Sequence, residues 1–416
     1  MSSKSESFGG EAQQIALLPR ISIQAFCETA DIAEIIQAAG NDRRMGKTHL
    51  KIQMGGVAAA GEAYRNAPTP NVIIIENTHG RAELIEGLDR LSEFCDPGTK
   101  VVIIGHINDV LLYRDLVRRG VSEYIIAPLT AIELVKGLSE LFHSPGAAHI
   151  GRTTAFVGAK GGVGASTVCH NVAWAVARSL KLDTVIVDLD LPFGTAGLDF
   201  NQDPSQGLAD LVYAPDRVDA GLVDRLLAKC SDHLSLLAAP ATLDRLCDFQ
   251  EDAFDSILDI LRGNVPAIML DVPHVWTGWS RRLIAGADEI VMVATPDLAS
   301  LRNTKSMLDL MRQARKNDSP PRLVLNMVNM PKRPEIKVAD FAKQLDIEPA
   351  AIIPFEPAMF GTAANNGQMI AEVSAASKTA EMFLATAHLI TGRLEVRKPK
   401  RSGIPALFNK LQRKKA

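Results

Sequence analysis

The chain has 416 residues, of which 47% are hydrophobic and 22% are charged, a composition ordinary for a soluble globular protein and sufficient for two domains with separate cores. No apolar stretch approaches the roughly 20 residues that span a bilayer, and the polar first residues are unlike a secretory signal segment. Residues 393–416 hold nine Lys or Arg and one acid, a net charge of +8. Because the whole chain has a net charge of −3, residues 1–392 carry −11. This negative charge excludes nucleic-acid binding through the overall electrostatic field of residues 1–392.

The first part of the chain alternates between strand and helix patterns. Residues 1–19 are rich in Ser, Gly and Gln without a hydrophobic period, so we expect a disordered tail. The predicted strands that follow are Ile21–Phe26, Leu50–Gln53, Asn71–Glu76, Lys100–Gly105 and Glu123–Ala127. The predicted helices are Thr29–Ala39, Val57–Tyr64, Ala82–Phe94, Val110–Arg118 and Ala131–Phe142. This alternation over residues 20–143 predicts an α/β domain with a parallel sheet and helices on both faces.

This first domain resembles a response-regulator receiver, a flavodoxin-like fold. In that family an aspartate that ends the third strand is phosphorylated, and the matching residue here is Glu76. Gly105 replaces a Ser or Thr, Ala127 replaces the lysine of a Lys-Pro pair, and the acidic pair after the first strand is reduced to about Glu28. Because the chemistry needs a nucleophilic carboxylate, a metal and a lysine, we interpret the domain as a pseudo-receiver used for docking or dimerisation. A flavodoxin-like domain with no history of signalling is the alternative.

The second part of the chain repeats the alternation. Residues 144–152 are turn-rich and predicted as a linker, and residues 153–392 as a second doubly wound α/β domain. Its predicted strands are Thr153–Gly158, Thr184–Asp188, Leu234–Ala238, Ala267–Asp271, Glu289–Ala294 and Arg322–Asn326. Its predicted helices include Leu298–Lys316 and Ser377–Leu389, and residues 207–263 are predicted as mostly helical around one strand.

A glycine-rich loop, AKGGVGAST at residues 159–167, joins the first of these strands to an alanine-rich helix. Such a loop turns backbone N–H groups inward at a helix N-terminus, which suits a phosphate chain. Aligned with G-x-x-x-x-G-K-[ST], the second glycine (Gly164) and the hydroxyl (Ser166) are kept, the first glycine is an alanine, and the lysine is Ala165. An extra lysine, Lys160, stands early in the loop. A plain glycine turn is the structural alternative.

The pattern K-G-G-x-G-x-[ST] resembles the deviant Walker A loop of the ParA/MinD ATPases, with one of their two lysines missing. The resemblance implies ATP and Mg²⁺ as cofactors and a P-loop NTPase fold for this domain. The nucleotide-binding residues that it implies are Lys160, Gly161, Gly162, Val163, Gly164, Ala165, Ser166, Thr167, Asn326 and Pro354. Asn326 matches the asparagine that contacts adenine in that family; an asparagine that opens a loop is the alternative.

The same resemblance assigns roles to four side chains. Ser166 ligates Mg²⁺ directly, and Asp271, at the end of a Walker B-like strand, holds it through water. Asp190, in the switch I-like segment DLDLPFG, positions or activates the attacking water. Lys160 reaches the phosphates of a partner subunit, so that two nucleotides lie between the subunits of a homodimer.

The alanine at position 165 is the main departure from the ParA/MinD pattern. An ammonium–phosphate hydrogen bond contributes about 1.5–3 kcal/mol, so its loss weakens ATP binding by about 10–100-fold. The loss is larger in the transition state, where charge builds on the bridging oxygen. We therefore expect ATP binding with slow or absent hydrolysis.

The domain order is more specific than any one motif. A degenerate receiver fused to a MinD-like ATPase is similar to the CpaE/TadZ proteins of tight-adherence, Flp-type pilus systems. This resemblance implies an ATP-controlled localisation or scaffold protein that dimerises, lies at a cell pole and recruits the pilus secretion ATPase and the inner-membrane platform. The five cysteines form no C-x-x-C pair, which disfavours zinc and fits a cytoplasmic protein.

Two alternative functions and one hypothesis about the basic tail remain. A cycling ParA/MinD-type positioning ATPase is disfavoured by Ala165, and a phospho-signalling regulator by Glu76 and Ala127. In the basic tail, Leu407, Phe408 and Leu411 share a helical stripe that suits an anionic surface peripheral to the inner membrane; a solvated tail fits as well. We expect no specific nucleic acid, because no DNA-recognition motif is present.

Overall fold

The structure is a computed structural model, and it describes residues 15–65, 67–142, 151–239, 243 and 247–392. The predicted linker up to residue 150 and the basic tail, residues 393–416, lie outside these ranges. No helix within them is both long and apolar enough to cross a membrane.

A five-stranded parallel sheet forms the amino-terminal part, in the order β2-β1-β3-β4-β5. Its strands are β1 (Ser22–Cys27), β2 (His49–Met54), β3 (Val72–Asn77), β4 (Lys100–Gly105) and β5 (Glu123–Ile126). Its helices are α1 (Ala30–Gly40), α2 (Gly56–Ala63), α3 (Arg81–Ser92), α4 (Val110–Arg118) and α5 (Ala131–Glu140). This strand order is that of the flavodoxin-like folds.

The sequence explains why β3 lies at the centre of this sheet. All six of its residues are buried, as expected of a strand that is covered on both faces. Its apolar side chains alternate between two separate clusters, one with Val72 and Ile74 and the other with Ile73 and Ile75. Side-chain caps such as Thr130, which forms a capping box with Glu133, fix the helix starts.

The expected disorder of residues 1–19 is wrong for the described residues 15–19. Ile15 and Leu18 are buried in the core of the first sheet, and the Leu18 N–H donates to the Arg44 carbonyl at 2.9 Å. Two apolar side chains three positions apart gain more by covering this core than the chain loses in conformational entropy. Residues 1–14 lie outside the described ranges.

An eight-stranded sheet forms the second part, in the order β13-β12-β11-β6-β10-β7-β9-β8. Its strands are β6 (Arg152–Gly158), β7 (Thr184–Asp188), β8 (Ala228–Ser231), β9 (Leu234–Leu237), β10 (Ala267–Val272), β11 (Glu289–Ala294), β12 (Arg322–Val328) and β13 (Pro349–Pro354). All pairs are parallel except β8 with β9. Two apolar clusters cover its faces, so the predicted class of two doubly wound parallel sheets is confirmed.

The helices of the second part are α6 (Ala165–Ser179), α7 (Ala196–Asp199), α8 (Leu208–Val212), α9 (Ala220–Leu226), α10 (Asp255–Asn264), α11 (Gly278–Gly286), α12 (Leu298–Ala314), α13 (Val338–Leu345), α14 (Pro357–Asn366), α15 (Ile370–Val373) and α16 (Lys378–Thr391). Residues 207–263 are less helical than predicted, because β8 forms an antiparallel edge strand with β9. The short run AKCS shows no two-residue alternation long enough to predict that strand.

The two sheets are joined by an ion-pair network. Arg43, in a single 3₁₀ turn, lies 3.2 Å from Asp288 and 2.6 Å from Asp318, which precede β11 and β12. Arg44 pairs with Asp42 at 2.9 Å and also with Asp318. The first part therefore contacts the amino-terminal edge of the second sheet, opposite to the edge at which the glycine-rich loop lies.

Candidate functional site

The glycine-rich loop follows β6 and opens α6, as predicted. Gly162 and Gly164 have φ values of +77° and +83°, a conformation that side chains rarely adopt. A Cβ on Gly164 would lie 2.5 Å from Nδ2 of Asn326. The retained second glycine is thus required both by the turn and by the close approach of Asn326.

Three side chains from other elements hold the loop by hydrogen bonds to its carbonyl groups. Asn303 on α12 donates to the carbonyl of Ala159 at 2.8 Å, and Asn326 on β12 donates to that of Val163 at 2.8 Å. The third, Nδ1 of His274, lies 2.9 Å from the carbonyl of Gly158, which fixes the proton on this nitrogen. These bonds fix the backbone of the loop, and its N–H groups from Gly161 onward are the ones that a bound phosphate chain would use.

Asn326 lies where predicted, but its amide is already bonded. Its Nδ2 donates to the loop, its Oδ1 accepts the Met327 N–H at 2.9 Å, and the residue is buried. Asn326 therefore lies within β12 and braces the phosphate loop, and a contact with adenine stays a prediction.

Lys160 pairs with a residue outside its own loop. Its Nζ lies 2.9 Å from Oδ2 of Asp297, the residue that caps α12, and more than a third of its side chain is exposed. The pKa of Asp297 is lowered to about 2: burial acts to raise it, but hydrogen bonds from Thr295, the Ser300 N–H and Lys160 outweigh burial. Lys160 is therefore held at the surface, beside the loop.

Ser166 and Asp271 are brought together as predicted. The Ser166 hydroxyl, in the first turn of α6, donates to Oδ1 of Asp271 on β10 at 3.2 Å. One hydroxyl and one carboxylate suit Mg²⁺, which keeps several waters and takes phosphate oxygens as further ligands. Among the described residues, no group of three or more His, Cys, Asp or Glu could hold a metal by itself. A Mg²⁺ ion here would need the phosphates of a nucleotide.

A second carboxylate, Asp188 at the end of β7, lies beside Asp271. Burial and the charge of Asp271 raise the pKa of Asp188 to about 7. Asp188 accepts the N–H groups of Asp190 at 3.1 Å and Ala196 at 3.2 Å, which folds the switch-like segment around it. Burial also raises the pKa of Asp190, whose carboxylate accepts the Phe193 N–H. Asp190 thus lies in the acidic group, while its action on water stays a prediction.

A histidine that we did not single out from the sequence lies within this acidic group. His170 on α6 is fully buried; its Nδ1 lies 2.7 Å from Oδ2 of Asp199 and its Nε2 lies 3.2 Å from Oδ2 of Asp271. Burial acts to lower its pKa, but the contacts with the two carboxylates raise it to about 10. The signal was weak: a polar ring on the buried side of an alanine-rich helix, with partners 29 and 101 positions away.

An open cavity of about 310 Å³ lies beside the loop. Its wall includes four residues predicted from the sequence: Gly164, Thr167, Asn326 and Pro354. Sequence reasoning did not single out Asn171 and Asp199, which also line it. Phe355, Glu356, Phe360 and Met369, in the segment that follows Pro354, complete this side of the wall. The cavity is continuous with the helix N-terminus, which is where a base and ribose attached to a bound phosphate chain would extend.

The first sheet carries a different carboxylate site. Glu76 at the end of β3 is fully buried, and its carboxylate accepts the N–H groups of Glu28 at 2.7 Å and Thr29 at 2.8 Å. The Thr29 hydroxyl (2.7 Å) and the His106 ring (3.1 Å) complete the set. Burial acts to raise the pKa of Glu76, but these bonds lower it. Glu76 stands where a receiver has its phosphoacceptor aspartate, and groups of the protein itself bond both of its carboxylate oxygens.

Comparison with known proteins gives two kinds of relative. No protein-family model matches the chain. A solved structure of the pilus assembly protein CpaE from Caulobacter crescentus is 43% identical over 96% of that chain and 30% of this one, with a TM-score of 0.30. The septum site-determining protein MinD of Bacillus subtilis is 25% identical over 237 residues, which are 53% of this chain and 82% of that protein.

Two further solved structures cover more than half of the chain. A ParA family ATPase from Chlorobium tepidum is 26% identical over 58% of this chain and 98% of its own, with a TM-score of 0.52. The MinD protein of Pyrococcus horikoshii, complexed with Mg-ADP, is 19% identical over 57% of this chain and 95% of its own, with a TM-score of 0.51. The latter shows the fold alone.

Proposed function

This chain belongs to the CpaE family of pilus assembly proteins, and from that premise we propose that it is an ATP-binding localisation and scaffold protein of a tight-adherence, Flp-type pilus system. In this proposal ATP·Mg²⁺ joins two copies of the chain, and the protein hydrolyses ATP slowly or not at all. The dimer then recruits the pilus secretion ATPase and the inner-membrane platform at a cell pole.

The phosphate loop is the observation that carries ATP binding. The loop has glycines with positive φ, its carbonyl groups accept hydrogen bonds from Asn303 and Asn326, and it lies at the N-terminus of α6. A cavity of about 310 Å³ opens beside it. Ser166 and Asp271 lie within 3.2 Å of each other and supply the two protein groups that a Mg²⁺ ion needs there.

The slow hydrolysis follows from position 165. Ala165 begins α6 at the point where the usual phosphate loop carries its lysine, and the other lysine of the loop, Lys160, pairs with Asp297 instead. The lysine stabilises the developing charge more than the bound ground state, and its absence therefore lowers turnover more than affinity.

The surface around the loop supports a dimer. Asp297 holds Lys160 at the surface. In this position the lysine could reach the phosphates of a nucleotide bound to a second subunit. Three large apolar side chains near this site are more than half exposed: Phe193, Trp276 and Leu298. Each lies one to three positions after a residue of the site, namely Asp190, His274 or Asp297. An exposed apolar rim of this kind is typical of an interaction surface.

Light scattering of the full chain with ATP·Mg²⁺, beside calorimetry of ATP binding, tests the proposal. We expect wild type to bind ATP and to double in mass, and Lys160→Ala to bind ATP but stay monomeric. Lys305→Ala is the matched control, because it removes an exposed lysine that also pairs with an aspartate, on α12. No heat from millimolar ATP plus Mg²⁺ contradicts ATP binding, and a Lys160→Ala variant that still dimerises contradicts the role of the lysine.

The same preparation discriminates the alternatives. Turnover at ordinary MinD rates would favour a cycling positioning ATPase instead. The basic tail, residues 393–416, is proposed to contact an anionic membrane surface. Co-sedimentation of the full chain and of residues 1–392 with anionic vesicles tests this; equal binding of both removes the membrane contact from the proposal.

A further inference from the structure

The proposed site contains a buried histidine that the phosphate-loop pattern does not explain. His170 lies on α6, five residues after Ala165, and its side chain has no exposed surface. A histidine in that position is not part of the G-x-x-x-x-G-K-[ST] motif, and no step of the proposed ATP chemistry uses it.

The ring of His170 joins two carboxylates that come from different elements. Nδ1 lies 2.7 Å from Asp199 at the end of α7, the short helix after the switch-like segment. Nε2 lies 3.2 Å from Asp271 on β10, with the geometry of an ion pair rather than of a well-aligned hydrogen bond. The imidazole ring therefore hydrogen-bonds one carboxylate and faces the other.

The contacts of Asp271 are divided between its two oxygens. Oδ1 accepts from Ser166, and Oδ2 faces His170. The orientation of this carboxylate is therefore set by two side chains of α6, the helix that begins with the phosphate loop. Asp271 is the acid to which we assign the Mg²⁺ ion, so a group that fixes its rotamer also fixes where the ion lies.

Resting on the proposed function, we propose that His170 is the positioning residue of the magnesium site. It holds the Asp271 carboxylate in the orientation that receives hydrated Mg²⁺. Through Asp199, which lines the nucleotide cavity, it also joins the metal side of the site to the cavity wall. The ring itself touches neither nucleotide nor metal.

Two conservative variants separate the two ends of the ring. In His170→Gln the amide nitrogen lies near the place of Nε2, so a donor toward Asp271 is kept. In His170→Asn it lies near the place of Nδ1, so only the donor toward Asp199 is kept. The aromatic contact is controlled separately: Phe200→Leu removes the ring that packs 5.6 Å from the imidazole and leaves both carboxylates in place.

The experiment titrates the full chain with a fluorescent ATP analogue, first in EDTA and then with increasing MgCl₂. We expect His170→Asn to raise the half-saturating Mg²⁺ concentration about tenfold or more, the usual loss when a group that orients a metal ligand is removed. The affinity for the metal-free analogue changes much less. His170→Gln recovers most of the Mg²⁺ response, and Phe200→Leu titrates like wild type. Asp199→Asn, which acts from the other end of the bridge, shifts the Mg²⁺ response in the same direction by less.

Each other outcome overturns the inference. If His170→Asn keeps the wild-type Mg²⁺ response, or if His170→Gln loses it equally, the ring does not act through Asp271. If metal-free and metal-dependent binding fall together, the role of His170 is only structural. Should His170→Asn fail to fold, the Mg²⁺ response of Asp199→Asn decides, and an unchanged response overturns the bridge. A wild-type chain that shows no nucleotide signal overturns the proposed function, and this inference with it.

Discussion

Both parallel sheets of this protein carry a buried carboxylate at the carboxyl end of a central strand, Glu76 on β3 and Asp271 on β10. The two differ in what binds them. Glu76 accepts two backbone N–H groups of the segment after β1, whereas Asp271 is contacted by two side chains of α6. A side chain can rotate when a ligand arrives, but a backbone donor cannot leave without moving the segment.

This contrast separates the roles of the two sheets. Around Glu76 the protein has placed its own donors where a receiver would bind a metal and an acyl phosphate, so that carboxylate stabilises the fold. Around Asp271 the contacts come from the side chains of Ser166 and His170, and the glycine-rich loop lies at the start of the same helix, so we propose that this carboxylate receives a metal together with a bound nucleotide. The same fold class thus supports a closed site and an open one within one chain.

The largest effect that tests this contrast is expected from Glu76→Ala. The substitution leaves the partly buried N–H groups of Glu28 and Thr29 without an acceptor, which lowers the free energy of unfolding by about 2–4 kcal/mol. Urea denaturation of the full chain measures it. Glu76→Gln keeps one acceptor oxygen and loses less. A Glu76→Ala variant as stable as wild type would show that the closed site has no structural role.

The mirror variant is Asp271→Asn. We expect it to reduce Mg²⁺-dependent nucleotide binding while changing the free energy of unfolding by less than about 1 kcal/mol, because it also relieves the repulsion with Asp188. The same two assays, applied to both variants, should give opposite results. If Asp271→Asn unfolds as easily as Glu76→Ala, the two carboxylates do not differ in role.

A third test restores the lysine of the usual phosphate loop at position 165. Ala165→Lys puts an ammonium group at the start of α6, and we expect ATP affinity to rise by about 10–100-fold, with measurable hydrolysis. Calorimetry and a phosphate-release assay follow the two effects. Ala165→Met, of similar length without the charge, is the control. An unchanged ATP affinity would mean that this position does not face the phosphates.

A fourth test concerns the contact between the two sheets. The pKa of Asp288 is lowered to about 2: burial acts to raise it, but Arg262, Arg43 and the Thr153 N–H outweigh burial. Because the folded pKa lies below the ordinary 3.8, this stabilisation is complete above pH 4 and is lost as the pH falls through about 2. Between these values the wild type should lose about 2 kcal/mol more than Asp288→Asn in urea denaturation. Parallel losses would exclude Asp288 as the source.

The last prediction is that acetyl phosphate does not label the protein. Incubation with radiolabelled acetyl phosphate and Mg²⁺ should leave the wild type unlabelled, since every Glu76 oxygen is bonded and Ala127 replaces the lysine of receivers. A receiver protein labelled in parallel serves as the positive control. Labelling that Glu76→Gln abolishes would reopen the signalling function.

The strands and the phosphate loop were predictable because their signals are local. Buried strands such as Lys100–Gly105 and Glu289–Ala294 lie within the predicted bounds, since continuous apolar runs between turns mark them. The loop was predictable because positive φ values require glycine at fixed spacing. Ser166 and Asp271 were expected to lie together because the resemblance to the ParA/MinD ATPases assigns both to one Mg²⁺ ion, and the structure places them 3.2 Å apart.

What the sequence did not reveal depends on contacts between distant positions. Arg43 meets Asp288 and Asp318 across 245 and 275 positions, and no local pattern distinguishes this arginine from a surface one. His170 could not be identified for the same reason, because its partners Asp199 and Asp271 are distant in sequence. Strand β8 was missed because it is short and at the sheet edge, where one pairing partner is enough.

The Lys160–Asp297 pair has a consequence for the way in which the dimer would respond to salt. In the isolated chain the lysine already has an anionic neighbour at 2.9 Å, so contact with a second subunit exchanges one ion pair for another. Dissolved ions screen the pair that is given up as well as the pair that is gained. Self-association through this residue should therefore depend on ionic strength much less than a newly formed lysine–phosphate contact does.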